Sequence, residues 1–143
     1  SHQAAQAARE TLPELLSKPT VPVAAWDTYG AKDSEEGVVV SHSWDEIRRF
    51  MWNYVGIVRS DSRLLRAQDR IGPILKEINE YYWKFLITSD LLELRNIAYV
   101  ADLIIRMALR RKESRGLHYN LDYPRVDDEN FHQDTVISSE GWH

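Results

Sequence analysis

Between residues 43 and 113 the apolar positions fall into three helical stripes, and on either side of that region the pattern dissolves. Ile47, Phe50, Met51, Tyr54, Val55 and Val58 recur at the i, i+3, i+4 spacing that lines one face of a helix. Ser43 followed by Glu46 reads as a capping box, so this first helix is expected to start there. Arg59-Ser60-Asp61-Ser62 supplies a break and a new N-cap. Leu64, Ile71, Ile74, Leu75, Ile78, Tyr81, Tyr82 and Phe85 then hold the same period in a second helix. Gly72-Pro73 lies inside it; proline removes a backbone donor and crowds the carbonyl four residues back, which predicts a kink between Asp69 and Pro73. Thr88-Ser89-Asp90 caps a third helix running to about Glu113. Its circumference is apolar except for a stripe at Arg95, Tyr99, Asp102, Arg106 and Arg110, so it is expected to be covered on more than one side.

Three amphipathic helices joined by short turns predict an all-α fold, a three-helix antiparallel, up-down-up bundle over 43–124. Residues 1–17 read as a short helix that breaks near Thr11 because of Pro13, and 18–42 as an extended linker whose one possible strand is Val38-Val39-Val40. The tail, 125–143, lacks a period and is expected to be irregular and only partly tied down.

Composition narrows the picture. A chain of 143 residues suits one core. With 18 basic against 22 acidic residues and a net charge of -4, it lacks the cationic excess of a nucleic-acid binder. Without cysteine there can be no disulfide or thiolate metal site, and a reducing, cytoplasmic setting is the default expectation. The longest apolar region, 91–109, carries Glu93, Arg95, Asp102 and Arg106, too many charges for a membrane span. Because the chain opens on Ser1 with no initiator methionine, it is expected to be a fragment of a longer polypeptide.

Candidate chemistry is sparse. The six glycines are scattered and form no phosphate-cradling loop, and the five histidines have no metal-ligand spacing, so neither a cofactor nor a metal site is expected. Ser114, His118 and Asp122 occur in order but at a helix end, with no strained nucleophile elbow, so no catalytic set is expected either. Tyr81, Tyr82 and Phe85 are read as core. Trp44 and Trp52 fit either core or an exposed patch. In the dense stretch 110–124, "RRKESRGLHYNLDYP", the basic run Arg110-Arg111-Lys112 suits a helix C-terminus, Gly116 suits its left-handed cap, and Pro124 turns the chain away. That leaves Glu113, Ser114, Arg115, His118, Tyr119 and Asp122 as a surplus pointing to recognition.

Residues 111–124, "RKESRGLHYNLDYP", resemble the signature in the C-terminal helical domain of the succinate dehydrogenase and fumarate reductase flavoprotein superfamily. Within it, "FMWNYVGIVRSDSRLLRAQDRI" (50–71), "EINEYYWKF" (77–85) and "LLELRNIAYVADLIIRMALRRKESRGLHY" (91–119) are similar to the L-aspartate oxidase family. The likeness runs from about Val38 to Pro124; Gly72-Pro73 departs from the family pattern. "HQAAQAARE" is similar to the helix that closes the FAD-binding domain there, which makes 1–17 the end of that domain. The resemblance implies an FAD enzyme that oxidises L-aspartate to iminoaspartate on the route to quinolinate and NAD, with oxygen or fumarate reoxidising the flavin. It places flavin and catalytic residues before this region, so the fragment itself would be inactive. Its partners would be the flavin-binding and capping domains of the same polypeptide, met through Glu113, Ser114, Arg115, Gly116, His118, Tyr119 and Asp122. Two alternatives stand beside this: a module docking a separate protein such as quinolinate synthase, and the matching domain of a succinate or fumarate enzyme.

Overall fold

A computed structural model describes residues 2–19, 22–28, 30–32, 37–138 and 141–142. The chain forms α1 (His2–Ser17), α2 (Gly37–Tyr54), β1 (Val58–Arg59), α3 (Asp61–Lys84), α4 (Ser89–Arg110), β2 (Tyr119–Asn120), the single turn α5 (Asp128–Phe131), β3 (Ile137–Ser138) and β4 (Gly141–Trp142). It is an all-α fold in which α2, α3 and α4 pack pairwise on one another. Their directions follow from which ends meet. Val40 and Ser43 near the start of α2 line the same small crevice as Ile78 and Tyr81 near the end of α3 and Leu91 and Leu94 at the start of α4. The bundle therefore runs up, down and up, as short connections between helices require.

The stripes legible in the sequence form its core. Ile47, Phe50 and Val55 from the α2 segment meet Leu64, Ala67, Ile71, Ile74 and Ile78 of α3, and Leu94, Ala98, Ala101, Ile105 and Ala108 of α4, all buried. Burying each large side chain of this set contributes about 2 kcal/mol. The caps hold too. Ser60 accepts from the Arg63 amide at 3.3 Å, and Thr88 accepts from the Leu91 amide at 3.2 Å, which satisfies one orphan donor at each helix start.

Several expectations need correction. The first core helix begins at Gly37, not Ser43, so Val38–Val40 is helical, and Ser43 is a buried position within α2 in place of a cap. Periodicity reports only the buried stripe, and the stripe starts later than the hydrogen bonding. Val58, read as the last member of the first stripe, is half-exposed in β1, because α2 ends at Tyr54 and Gly56 follows. α1 runs through Pro13 unbroken, with every described side chain exposed. α3, by contrast, continues through Gly72 and Pro73 as one helical segment, as its stripe predicted. α4 ends at Arg110, three residues short of Glu113, where Arg111 adopts extended backbone and carries the chain into a loop. Tyr81, Tyr82 and Phe85 are half-buried at the rim and outside the core, with the Tyr81 and Phe85 rings 4.3 Å apart. Trp44 packs against the core while Trp52 stands in solvent. The linker is also less free than expected: Lys32 donates to the Lys84 carbonyl at 3.3 Å and accepts from the Leu86 amide at 2.9 Å.

Candidate functional site

The stretch after α4 folds into a compact loop against the start of α3. Arg115 and His118 exchange backbone hydrogen bonds at 2.9 and 3.0 Å, closing a tight turn, and Gly116 inside it has φ +56. Gly116 is therefore the turn residue of this small hairpin and not the cap of α4, which has already ended. From the turn the chain enters β2, which pairs in parallel with β1, Val58 opposite Tyr119 and Arg59 opposite Asn120.

Glu113 sits at the centre, with no solvent exposure. Arg115 grips it with a two-point fork, Nε to Oε1 at 2.9 Å and Nη2 to Oε2 at 3.0 Å. Arg111 Nη1 donates to Oε1, and the Asp127 amide donates to Oε2 at 2.9 Å. Arg115's fork, outweighing the opposing effect of burial and aided by the Asp127 amide and Arg111, holds the Glu113 carboxyl down at about 2. The same arginines reach the tail. Arg115 Nη2 donates to Asp128 Oδ1 at 2.5 Å; Arg111 donates to the carbonyls of Phe131, at 3.1 Å, and Gln133, and to Thr135 Oγ1 at 3.2 Å. The tail through Thr135 is therefore tied down more firmly than its lack of period indicated.

A second cluster surrounds Asp61 at the start of α3. Its carboxylate accepts from Lys112 Nζ at 2.7 Å, Asn120 Nδ2 at 3.2 Å and the Tyr123 hydroxyl at 3.2 Å, while its amide donates to Asp122 Oδ2 at 2.7 Å. Burial alone would raise the Asp61 carboxyl; the bonds from Lys112, Asn120 and Tyr123 outweigh it and hold the group below its ordinary range. Asp122 faces the unsatisfied amide of a helix start, where a negative charge is favoured. Asn120 is fully buried and spends each polar group: its amide donates to Ser114 Oγ at 2.9 Å and its Oδ1 accepts from the Asp122 amide at 3.0 Å.

His118 joins the clusters. Arg59 Nη1 donates to His118 Nδ1 at 2.8 Å, which makes Nδ1 an acceptor, so the ring proton lies on Nε2 and donates to the Arg111 carbonyl at 3.1 Å. Burial, reinforced by the charges of Arg59 and Arg111, lowers the imidazole pKa and keeps the ring neutral.

Ser114, His118 and Asp122 do not assemble as a nucleophile, base and acid. The Ser114 hydroxyl points its proton at the carbonyls of Tyr123, at 2.8 Å, and Asn120, at 3.2 Å; His118 has both ring nitrogens engaged; Asp122 serves the α3 amide. Of the residues expected to face a partner, Glu113 and Ser114 turn inward, Arg115 and His118 are half-buried, and Gly116, Tyr119 and Asp122 lie on the surface beside exposed Leu117 and Leu121. Arg110 to Lys112 were read as helix-end cations; Arg111 and Lys112 are instead the cationic halves of the two clusters. Sequence reasoning missed Arg59, Asp61, Asn120, Tyr123, Asp127 and Asp128. The acidic run Asp127-Asp128-Glu129, opposite a basic run, was the available signal.

The Fumarate reductase flavoprotein C-term family model matches residues 44–142. The L-aspartate oxidase of Pseudomonas aeruginosa is 52% identical over 122 residues, which are 82% of this chain and 23% of that protein. L-aspartate oxidase 1 of Ralstonia nicotianae is 54% identical over 121 residues, 84% of this chain and 23% of that protein. A solved structure, Mycobacterium smegmatis Sdh1 in complex with UQ1, is 26% identical, with 85% of this chain and 19% of that chain covered at a TM-score of 0.47. The chain thus spans about a quarter of the length of the curated relatives it matches.

Proposed function

The chain belongs to the family of fumarate reductase flavoprotein C-terminal domains, and from that premise we propose that it is the accessory helical domain of an L-aspartate oxidase, a flavoenzyme that oxidises L-aspartate to iminoaspartate. The observation that carries this reading is its identity with aspartate oxidases from two genera over more than four fifths of its length. In this reading the domain braces the domains that hold flavin and substrate, and the Glu113 and Asp61 clusters keep its own docking loop rigid.

FAD is the cofactor this reading implies, and the described residues of this loop do not fit it. A pyrophosphate calls for a glycine-rich turn leading into a helix start, or for free cationic forks. The six glycines stand apart in sequence, and the three guanidiniums at the site are engaged, Arg111 and Arg115 with Glu113 and Arg59 with His118. We therefore assign flavin, substrate and chemistry to the rest of the parent polypeptide. The surface left for contact with it at this loop is Gly116, Leu117, Tyr119, Leu121 and Asp122.

The test uses the full-length parent. Oxidation of L-aspartate with flavin bound is the expected result; oxidation of succinate without aspartate would replace the reading with that of a succinate or fumarate enzyme. Arg115→Ala in the same protein separates bracing from catalysis. Bracing predicts a lower melting temperature and lost flavin, with KM for aspartate unchanged in the molecules that retain it. A raised KM with stability and flavin intact would instead place Arg115 at the substrate.

A further inference from the structure

The third core helix is apolar nearly all round, yet α2 and α3 cover only one of its sides. Leu91, Leu94, Ala98, Ala101, Ile105 and Ala108 point into the bundle. On the other side Leu92, Tyr99, Val100 and Ile104 are 39% to 53% exposed, and no described helix is long and apolar enough to cross a membrane. A helix with two apolar faces is one that is buried on both.

One polar group on that flank narrows what covers it. Arg95 lies against two tyrosines, its guanidinium carbon 4.5 Å from the Tyr82 ring centre and 5.1 Å from that of Tyr99. Its Nε is out of contact with solvent and has no hydrogen-bond partner among the described residues. Tyr99 is itself fixed, its hydroxyl donating to Asn79 Oδ1 at 3.1 Å. In a chain with a net charge of -4, whose Arg111 and Arg115 each hold a carboxylate, a buried guanidinium Nε without an acceptor among the described residues is incomplete. Buried donors are rarely left unpaired. An arginine stacked on aromatics, amid leucine and valine, has the composition of an interface hot spot.

We infer that the outer face of α4 is where the rest of the polypeptide seats, placing apolar side chains over Leu92, Val100 and Ile104 and a carboxylate on Arg95. It rests on the reading that this chain is one domain of a longer flavoprotein. The relatives supply the reason for choosing that occupant: 23% of their length matches, so more than three quarters of each lies outside the region seen here. A carboxylate is the acceptor whose charge and planar geometry match the guanidinium fork.

The experiment uses the full-length protein, because the proposed occupant is the rest of the polypeptide, and the 143 residues here add no native cysteine to the peptides followed. Val100→Cys reports on the outer face, Ile104→Cys is a second reporter in case the first perturbs packing, and Lys76→Cys, at a side chain 80% exposed, is the open reference. Thiol alkylation of each is followed by peptide mass spectrometry at two protein concentrations. Docking predicts that thiols at 100 and 104 react at least about tenfold more slowly than the one at 76, equally at both concentrations. Adding Arg95→Met should restore reactivity by about tenfold or more, the size expected for losing a hydrogen bond to a charged group. Reactivity at 100 and 104 equal to that at 76 would overturn the docking. Protection that fades on dilution would assign the face to a second copy, and protection untouched by Arg95→Met would remove the carboxylate. Aspartate oxidation assayed on the same sample tests the underlying reading separately, since an active enzyme with a reactive thiol at 100 sinks only the docking.

Discussion

Arg115 and Glu113, two residues apart, meet through both guanidinium and carboxylate edges, at 2.9 and 3.0 Å, around a carboxylate that has no contact with solvent. This fork and the Arg111 contact turn the end of α4 back on itself, and the Asp127 amide draws the tail in to the same acid. Removing the acid from such a site strands its cations, which is where the cost of breaking a buried pair arises.

Glu113→Ala should therefore destabilise the folded protein by about 3 kcal/mol, toward the lower end for a buried pair because the two arginines keep some access to water. The fall in urea midpoint checks this, and limited proteolysis should cut first between 125 and 135. A loss below about 0.5 kcal/mol, the scale of an ordinary surface change, would contradict the structure.

The same carboxylate sets an acid limit. Its folded pKa is about 2 against an ordinary 4.5, so between those values the unfolded chain binds more protons. Its contribution is complete above about pH 4.5 and is lost as pH falls through 2. Circular dichroism against pH should show an acid transition in that window for the native chain and a weaker dependence for Glu113→Gln.

His118 acts at milder pH. Its folded pKa lies below the ordinary 6.5, so the unfolded chain again binds the extra proton, and stability falls as pH drops through that value. A proton on Nδ1 would face the Arg59 guanidinium, whose Nη1 now donates to it at 2.8 Å. His118→Gln should reduce the change in melting temperature between pH 7.5 and 5.5, and an unchanged difference would show that another group titrates there.

Asn120→Asp keeps the shape of a fully buried side chain but replaces the donor to Asp61 with a second negative charge. A loss of about 3 kcal/mol is expected, the range for an uncompensated buried charge. Asp61→Asn in the same molecule should recover part of it, and a double-mutant cycle in urea measures the coupling. Simple additivity would mean that the two groups do not meet.

Gly116→Ala should cost about 1 to 2 kcal/mol, because its backbone lies at φ +56 although a Cβ there would meet nothing within 4 Å. Gly116→Asn, which tolerates that region better, should cost less. Equal melting temperatures for all three proteins would contradict the turn.

The bundle was legible because its determinants are local. Ser60 and Thr88 cap by reaching three residues ahead, and stripes such as Leu64, Ile71, Ile74 and Ile78 repeat within one helix, so the neighbouring residues carry the information. The start of α2 was less legible, since Gly37 to Tyr54 hydrogen-bonds as a helix before its buried stripe begins at Ser43. The candidate site was legible only as an excess of polar residues. Glu113 and Ser114 drew notice through their chemistry, but nothing near them in sequence marked them as inward-facing.

What the sequence by itself determined is therefore the three core helices, the N-caps of α3 and α4 and the all-α class, each the product of contacts a turn or less apart along one element. Only tertiary structure decided what the stretch after α4 does. Asp61 meets Lys112, Asn120 and Tyr123 across separations of 51, 59 and 62 residues, and Glu113 meets the Asp127 amide across 14. Such pairings have no period. They form because a desolvated charge must find its counter-charge wherever the packed helices bring the two loops together.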